Sequence, residues 1–290
     1  MLECGDDPLS PPVTPDDLLE HPGDLRLRIA DKLFDALLRE PTGPAGVEAE
    51  ASSAVLFLLG CFDDAAGRAE PCVVLTKRSK LVRQPGDLCF PGGGVSLRID
   101  TLLAPLLRLP RMPLRRWSHY RPWRHGAGDR RLPIVLAAAL REAFEEMRVN
   151  PLATSFLGLL PPQPLYMRGR AIRPAVAWLD RTQRFQPNWE VDRVVVVPMR
   201  HLLDPSHYAR LRVTFAPGLH PGHQPAVREF PCVVLKAPQG HDLLWGATYR
   251  IVNRLLALVF DFEEPALEQL QERVLHLDET YLGASRDRNR

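Results

Sequence analysis

The sequence has few cysteines, little net charge and no long apolar run. Its five cysteines form no Cys-x-x-Cys pair, which argues against a zinc ribbon or disulfide framework and favours a reducing compartment. A net charge of +2 indicates neither a nucleic-acid binder nor a binder of acidic partners at the level of the whole chain. The longest apolar stretches, such as residues 55–59 and 134–140, are far shorter than the roughly 18 residues of a membrane span. Since the N-terminus also lacks a secretory signal pattern, we expect a cytoplasmic protein without a membrane segment.

Proline, by contrast, is abundant, at 29 of 290 residues, about twice the usual share. Between the prolines, apolar periodicity predicts helices over residues 24–40, 136–147, 244–260 and 265–277. Short apolar runs predict strands over residues 54–61, 72–77, 156–160, 171–179, 194–198 and 230–236. This mixed order of helices and strands predicts an α+β sandwich.

A cluster of glutamates lies on the predicted helix 136–147. Glu142, Glu145 and Glu146 are spaced i, i+3, i+4 and share one helix face, where like charges repel. A divalent cation between them would turn the repulsion into ligation, and oxygen ligands suit Mg²⁺ or Mn²⁺. The competing interpretation is a solvated acidic face, which charge runs usually form.

Upstream of this helix, the run Gly92–Gly94 permits close backbone approach to a ligand. Together the two features resemble the Nudix box, Gly-x5-Glu-x7-Arg-Glu-U-x-Glu-Glu-x-Gly-U, where U is apolar. The matching residues are Gly94, Asp100 in place of the first Glu, Arg141, Glu142, Ala143, Glu145, Glu146 and Val149. About 33 extra residues separate Asp100 from Arg141, and Arg148 stands where the pattern has Gly. That Gly ends the helix in a left-handed conformation, which Arg adopts at a cost.

Further motifs are similar to those of coenzyme A pyrophosphatases within the same family. They lie at residues 74–79, 81–83, 86–93, 159–161, 173–174, 187–191, 197–198 and 245–248, in the family's order. The resemblance covers the chain from about residue 54 to 260. The stretch from Arg78 to Gly86 is one residue shorter than the family pattern and has Gln84-Pro85 in the region of a family His. Because of this departure, a substrate other than coenzyme A remains an alternative.

The resemblance implies a Nudix-type α/β/α sandwich with a mixed sheet and a catalytic loop-helix-loop. We accordingly expect a Nudix domain over residues 51–262. A leader and helix in residues 1–50 would precede it, and a helix and tail in residues 263–290 would follow it.

For the site, the resemblance implies a metal-dependent pyrophosphatase with Mg²⁺ or Mn²⁺ as its cofactor. Glu145 and Glu146 would be the principal metal ligands, and the backbone carbonyl of Gly94 another. Glu142 would be either a further ligand or the general base, and Glu190 is the rival base.

Arg141 would act beside these carboxylates by orienting one of them. Its alternative role is a surface ion pair with Glu145, which would contribute only about 0.3–0.5 kcal/mol.

The implied reaction hydrolyses the diphosphate of coenzyme A, or of its thioesters, to 3′,5′-ADP and (acyl-)4′-phosphopantetheine. Lys77, Arg78 and Arg83 are candidate phosphate contacts, and Gly92 and Gly93 are candidate substrate-binding positions. The alternative for the three cations is a set of edge-strand charges that block aggregation. Other substrates kept open are ADP-ribose, NADH and nucleotide sugars, as is a catalytically weak module that binds a nucleotide or nucleic acid.

The extra segment, residues 101–133, is strongly basic. It carries eight arginines, at positions 108, 111, 115, 116, 121, 124, 130 and 131, against one acid, Asp129. With Trp117, Tyr120 and Trp123 between them, the arginines could grip nucleic acid, since bases stack on aromatic rings. The segment could equally be a lid over an anionic substrate or a mobile surface loop, and we expect a loop. No feature of the sequence indicates an oligomeric state.

Overall fold

The structure is a computed structural model that describes residues 14–39, 52–64, 66–125, 131–165, 170–216 and 226–282. Most of the predicted leader, Arg130 of the insertion and the tail from residue 283 lie outside these ranges. Within the ranges, no helix is both long and apolar enough to cross a membrane.

Helices and strands alternate irregularly along the described chain. The α-helices are α1 (Pro15–Glu20), α2 (Pro22–Arg39), α3 (Leu97–Leu103), α4 (Pro113–Arg116), α5 (Tyr120–His125), α6 (Leu132–Met147), α7 (Met199–Leu203) and α8 (Gly246–Phe260). The strands are β1 (Ser52–Asp63), β2 (Ala69–Arg78), β3 (Leu88–Cys89), β4 (Gly92–Gly94), β5 (Thr154–Leu159), β6 (Gln163–Pro164), β7 (Ala171–Leu179), β8 (Val191–Pro198), β9 (Tyr208–Phe215), β10 (Ala226–Lys236), β11 (His241–Trp245) and β12 (Glu272–Leu277). The six predicted strands and the helix 136–147 are confirmed, with ends that differ by a few residues.

The main sheet is mixed, as predicted. Its strand order is β3-β2-β1-β7-β5, β8 also pairs with β2, and β4 and β6 pair with the starts of β1 and β7. The central strands β1 and β7 run parallel, and the other pairs are antiparallel.

Both faces of the main sheet are covered by helices. Side chains alternate along β1, so that Val55, Phe57 and Leu59 join one buried cluster and Leu56 and Leu58 join the other. Helices α2 and α8 pack on the first face and α6 on the second. The predicted α/β/α sandwich is therefore confirmed.

A second sheet has the order β11-β10-β9-β12, with β12 parallel to β9. The predicted C-terminal helix over residues 265–277 is wrong, because that segment forms a 3₁₀ turn (Leu267–Gln269) and then strand β12. Leu275 and Leu277 pack on the small core of this sheet, while Val274 and His276, which alternate with them along the strand, are exposed. The residues after 262 thus join the sheet of the preceding chain instead of forming a separate helix.

The N-terminal helix also begins earlier than predicted. Helix α2 starts at Pro22 instead of at residue 24, and α1 occupies part of the predicted leader. Thr14 and Asp17 form a capping box, in which each backbone N–H donates to the other side chain, at 3.1 and 3.2 Å.

The basic insertion is folded, which corrects the expectation of a surface loop. Its described residues form the end of α3, a 3₁₀ turn, α4, α5 and the start of α6, and they pack on the same core as α6. Trp117 is 3% exposed, and its indole N–H donates to the Leu157 carbonyl at 2.9 Å. Tyr120 and Trp123 are buried as well, so these rings are not available to stack on nucleic-acid bases.

Candidate active site

Helix α6 carries the three predicted carboxylates into different surroundings. Glu146 is buried, at 9% exposed, Glu142 is partly buried, and the side chain of Glu145 is 55% exposed. The helix ends at Arg148, whose φ of +59° is left-handed. Arg148 therefore takes the conformation that the family pattern assigns to Gly.

The glycine loop packs directly against this helix. A Cβ on Gly93 would lie 2.6 Å from Cδ of Glu142, and a Cβ on Gly92 would lie 2.7 Å from Cα of Val55. Contacts this short do not occur for real Cβ atoms, so a side chain at Gly92 would clash with the backbone of β1, and one at Gly93 would push the Glu142 carboxylate aside. The N–H of Gly92 donates to the Glu146 carboxylate at 3.3 Å, which links loop and helix.

Arg141 connects the helix to the start of the insertion. Its Nε donates to Asp100 at 2.9 Å, its Nη1 to Glu142 at 2.8 Å and its Nη2 to the Gly94 carbonyl at 3.2 Å. Asp100 is fully buried and also accepts from the Ser96 N–H at 2.7 Å. Arg141 thus holds Glu142 in place, and the i,i+4 contact with Glu145 is longer, at 3.6 Å.

The carboxylates of the site are electrostatically crowded. Burial raises the pKa of Glu146 to about 8, and the charges of Glu142 and Glu190 add to the rise. Burial also raises the pKa of Glu142, against the opposing effect of Arg141. Such crowding of buried carboxylates is typical of sites that bind a cation or transfer a proton.

Glu190 reaches this region through a loop fixed to the end of α6. The N–H of Asn188 donates to the Glu146 carbonyl at 2.8 Å, and the Asn188 side chain accepts from the Glu190 N–H at 2.8 Å. On the other side, the Ser79 N–H donates to the Glu190 carbonyl at 2.9 Å. These bonds explain how a residue distant in sequence lies close enough to raise the pKa of both helix glutamates.

The donor set suits a hard divalent cation, because it consists of carboxylate and carbonyl oxygens. In the described part of the chain, however, no three His, Cys, Asp or Glu side chains converge closely enough to hold a metal ion. Arg141 occupies Glu142 and the Gly94 carbonyl. Metal ligation by these residues therefore stays a prediction, and it requires the side chains to turn toward a shared centre.

The predicted phosphate contacts differ in their surroundings. The positive charge of Arg78 lowers the pKa of Glu146, which places this guanidinium beside the carboxylates, and its Nε donates to the Arg83 carbonyl at 2.7 Å. Lys77 donates to the buried Asp242 at 2.8 Å, and Arg193 bonds the same carboxylate. Arg83 is exposed. Of the three, Arg78 is the one whose charge acts on Glu146.

One buried cluster beside the site has no signal in the sequence pattern. Asp87 accepts hydrogen bonds from the Tyr281 hydroxyl and, at 3.3 Å, from the Trp245 indole N–H. Burial raises the pKa of Asp87 to about 6, against the lowering effect of these two bonds. The Gln84 N–H donates to the Tyr281 carbonyl at 2.8 Å. Because the partners lie almost 200 residues apart, no local spacing could predict the cluster.

Comparisons with known proteins find relatives by sequence. No protein-family model matches the chain. The peroxisomal coenzyme A diphosphatase NUDT7 of Mus musculus is 29% identical over 222 residues, which cover 72% of this chain and 74% of that protein. An uncharacterized Nudix hydrolase NudL of an Enterobacter species is 27% identical over 190 residues, which cover 65% of this chain and 75% of that protein.

Solved structures of Nudix proteins overlap in part. A Nudix hydrolase from Alicyclobacillus acidocaldarius has a TM-score of 0.34 and 19% identity, and covers 53% of this chain and 81% of that one. RenU, a Nudix hydrolase from M. smegmatis, has a TM-score of 0.34 and 16% identity, and the alignment covers 53% of this chain and 73% of RenU. These structural alignments cover only about half of this chain, so its relationship to Nudix hydrolases rests on the sequence comparisons.

Proposed function

Since its sequence makes the chain a relative of the Nudix hydrolases, we propose that it is a metal-dependent pyrophosphatase whose substrate is coenzyme A or a coenzyme A thioester. The observation that carries the proposal is the placement of Glu142 and Glu146 against the glycine loop, with Arg141 bonded to Glu142 and to Gly94. The substrate assignment is supported by the ordered motifs between residues 74 and 93 and by the name of the mouse relative.

A diphosphate is doubly anionic and repels a nucleophile, so the reaction needs positive charge and an activated water. Glu142, Glu145, Glu146 and the Gly94 carbonyl would hold Mg²⁺ or Mn²⁺, which supplies charge neutralisation and Lewis-acid activation when bound. Arg78 would bind a phosphate oxygen, because a guanidinium offers a fork of donors.

The chain's own residues would also manage the proton. The oxygen of water adds to one phosphorus, the bridging P–O bond breaks, and the proton of the water passes to a carboxylate. Glu142 and Glu190 are the two candidates for this base. The raised pKa of Glu142 brings it nearer to the range in which a carboxylate accepts a proton well.

A second candidate substrate class is another nucleoside diphosphate derivative, such as ADP-ribose, NADH or a nucleotide sugar. The observation that favours it is Gln84-Pro85 in the region of the family His. A nucleic-acid-binding module is favoured less, since the aromatic rings of the insertion are buried.

The proposal is tested by offering the purified protein coenzyme A, ADP-ribose, NADH and a nucleotide sugar, each with Mg²⁺ or Mn²⁺. We expect fastest turnover of coenzyme A, and a loss of at least about 100-fold in kcat for Glu146→Gln, which removes a charged ligand. Glu268→Gln, an exposed site in the turn before β12, is the matched control. If none of the substrates is turned over, the proposal that the protein is an enzyme is wrong. If Glu146→Gln keeps full activity, the assignment of Glu146 as a metal ligand is wrong.

The name of the mouse relative includes the peroxisome, whereas the sequence of this chain predicts a cytoplasmic protein. Microscopy of the tagged full chain in its own cells distinguishes a diffuse distribution from a confined one.

A further inference from the structure

A cavity of about 790 Å³ lies between the outer strand β8 of the main sheet and the second sheet. Its walls come from β8, β9 and β10, the turn between α7 and β9, and the segment that leads into β12. The volume falls within the roughly 300–1,000 Å³ of small-molecule sites. The cavity is large enough for a nucleotide-sized ligand.

The cavity is separate from the glutamate site. Its nearest lining residue on β8 is Val195, whereas β8 meets Arg78 at Val191. Four residues of strand amount to about 13 Å. Glu142, Glu145, Glu146 and Glu190 are absent from the described lining.

The charge of the lining is of one sign. Lys236, His241 and Arg273 line the cavity and are exposed to solvent. Among the described lining residues there is no aspartate or glutamate. A concave surface with this distribution attracts anions, because its charges are not neutralised locally.

Nearby carboxylates are turned away and are paired elsewhere. Asp242 follows His241 in β11, is buried, and bonds Lys77 and Arg193. Glu272 precedes Arg273 in β12 and lies 3.7 Å from Arg210 and 3.8 Å from Arg212. In each pair the acid and the cation are neighbours in a strand, so they face opposite sides.

Another acid near the cavity is Asp204, whose Oδ2 lies 3.8 Å from Nδ1 of His207. Its Oδ1 accepts from the Ser206 N–H at 2.9 Å, so part of its charge serves the turn. The lining itself carries two exposed cations, Lys236 and Arg273.

The rest of the lining combines apolar side chains with polar ones, among them a stacked histidine pair. The rings of His201 and His207 stack with their centroids 3.5 Å apart. Nε2 of His201 lies 3.0 Å from the Val234 carbonyl oxygen, and Nδ1 of His207 lies 3.0 Å from the His201 carbonyl oxygen. Tyr208 and Leu235 are buried beside them. A ligand with an anionic end and a flat or apolar body matches this combination of walls.

We propose that this cavity is a second ligand site, which binds an organic phosphate of nucleotide size through Lys236, His241 and Arg273. The phosphate meets the cations at the mouth, and the uncharged part of the ligand lies on the histidine pair and the apolar wall. The proposal is independent of hydrolysis at the glutamate site.

The test is calorimetric titration of the full chain with ADP in EDTA, which withholds metal from the glutamate site. We expect one ADP to bind, and Lys236→Gln with Arg273→Gln to weaken its Kd at least 10-fold. Arg212→Gln, which removes one positive charge on β9 outside the lining, should leave the Kd within about twofold. Ser206→Trp, which fills the cavity and leaves the cations in place, should also weaken binding.

Two further measurements distinguish binding in the cavity from binding at the glutamate site. Glu146→Gln should bind ADP as the unaltered chain does, and adenosine should bind at least 10-fold more weakly than ADP. Equal ADP affinity in the double variant, loss of ADP binding in Glu146→Gln, or equal affinity for adenosine would each overturn the proposal. Absence of any ADP binding at millimolar concentration would do so as well.

Discussion

At the scale of single residues, the contact between Gly93 and Glu142 ties the glycine loop to a carboxylate of the helix. A methyl group at Gly93 would displace the Glu142 carboxylate, since its Cβ would lie 2.6 Å from Cδ. We expect Gly93→Ala to reduce kcat at least about 100-fold, as misplacement by an ångström can do. Gly94→Ala is the matched control, because nothing lies within 4 Å of its Cβ position. Equal activity of the two variants would contradict the assigned geometry, and kinetics on coenzyme A measures it.

Arg148 carries a conformational cost at the end of α6. Its φ of +59° disfavours a side chain with a Cβ, although its guanidinium lies 4.9 Å from the Phe144 ring. We expect Arg148→Gly to raise the free energy of unfolding by about 0.5–1 kcal/mol, the cost of the left-handed Arg less the extra freedom of Gly in the unfolded chain. Urea denaturation measures the change. Arg148→Asn should give a smaller gain, and a loss of stability in the glycine variant would be the contrary result.

Asp87 makes stability depend on pH. Because its pKa rises from about 4 to about 6 on folding, the folded protein holds the proton more tightly than the unfolded chain. The corresponding stabilisation is complete below about pH 4 and is lost as the pH rises through 6, which amounts to about 3 kcal/mol. The stability of the unaltered chain relative to Asp87→Asn should therefore fall between pH 4 and pH 7. Parallel stability curves in thermal unfolding would refute the assignment.

At the scale of elements, the insertion behaves as part of the core. Trp117 packs on Phe156 with centroids 5.1 Å apart and bonds the Leu157 carbonyl of β5. We expect Trp117→Ala to cost about 3–5 kcal/mol of stability, whereas Arg121→Ala, exposed on α5, should change it by less than about 0.5 kcal/mol. Chemical denaturation compares them. If the two variants were equally stable, the insertion would behave as a surface loop and not as part of the core.

Local patterns predict those elements whose apolar period and turn residues agree with the final fold. The strands β1 and β2, the glycine run and α6 belong to this group. The insertion was not predictable as core, because its arginines dominate its composition, while its aromatic residues decide its packing. β12 was not predictable either, since an amphipathic segment becomes a strand only where a neighbour such as β9 offers an edge.

The site was predictable to a similar extent. A family pattern brings Arg141 and the helix glutamates to the glycine loop, and the structure places them together. The partners of Lys77 and Asp87 come from β11 and from the segment after β12, and such long-range pairs leave no spacing to recognise. Sequence therefore identifies the chemistry of the helix, while the surroundings of the loop residues 77–87 require the fold.

At the scale of the whole molecule, the segment after residue 262 completes the second sheet. Removing residues 263–290 would expose the edge of β9 and take away the Tyr281 contacts with Gln84 and Asp87. We expect this truncation to aggregate or to unfold at a markedly lower temperature, because open edges pair with other chains. Truncation after residue 282 is the control and should behave like the full chain. Size-exclusion chromatography and thermal unfolding decide between the outcomes.

The hydrogen bonds between Tyr281 and the loop 84–87 also determine when during synthesis this loop can reach its final structure. A ribosome releases the loop early, but its partner emerges only after roughly two hundred further residues. The loop beside the glutamates must therefore wait for the end of translation before it acquires its final support, and contacts of such long sequence separation form slowly. A nascent chain would consequently contain helix α6 well before the loop beside it has its final contacts.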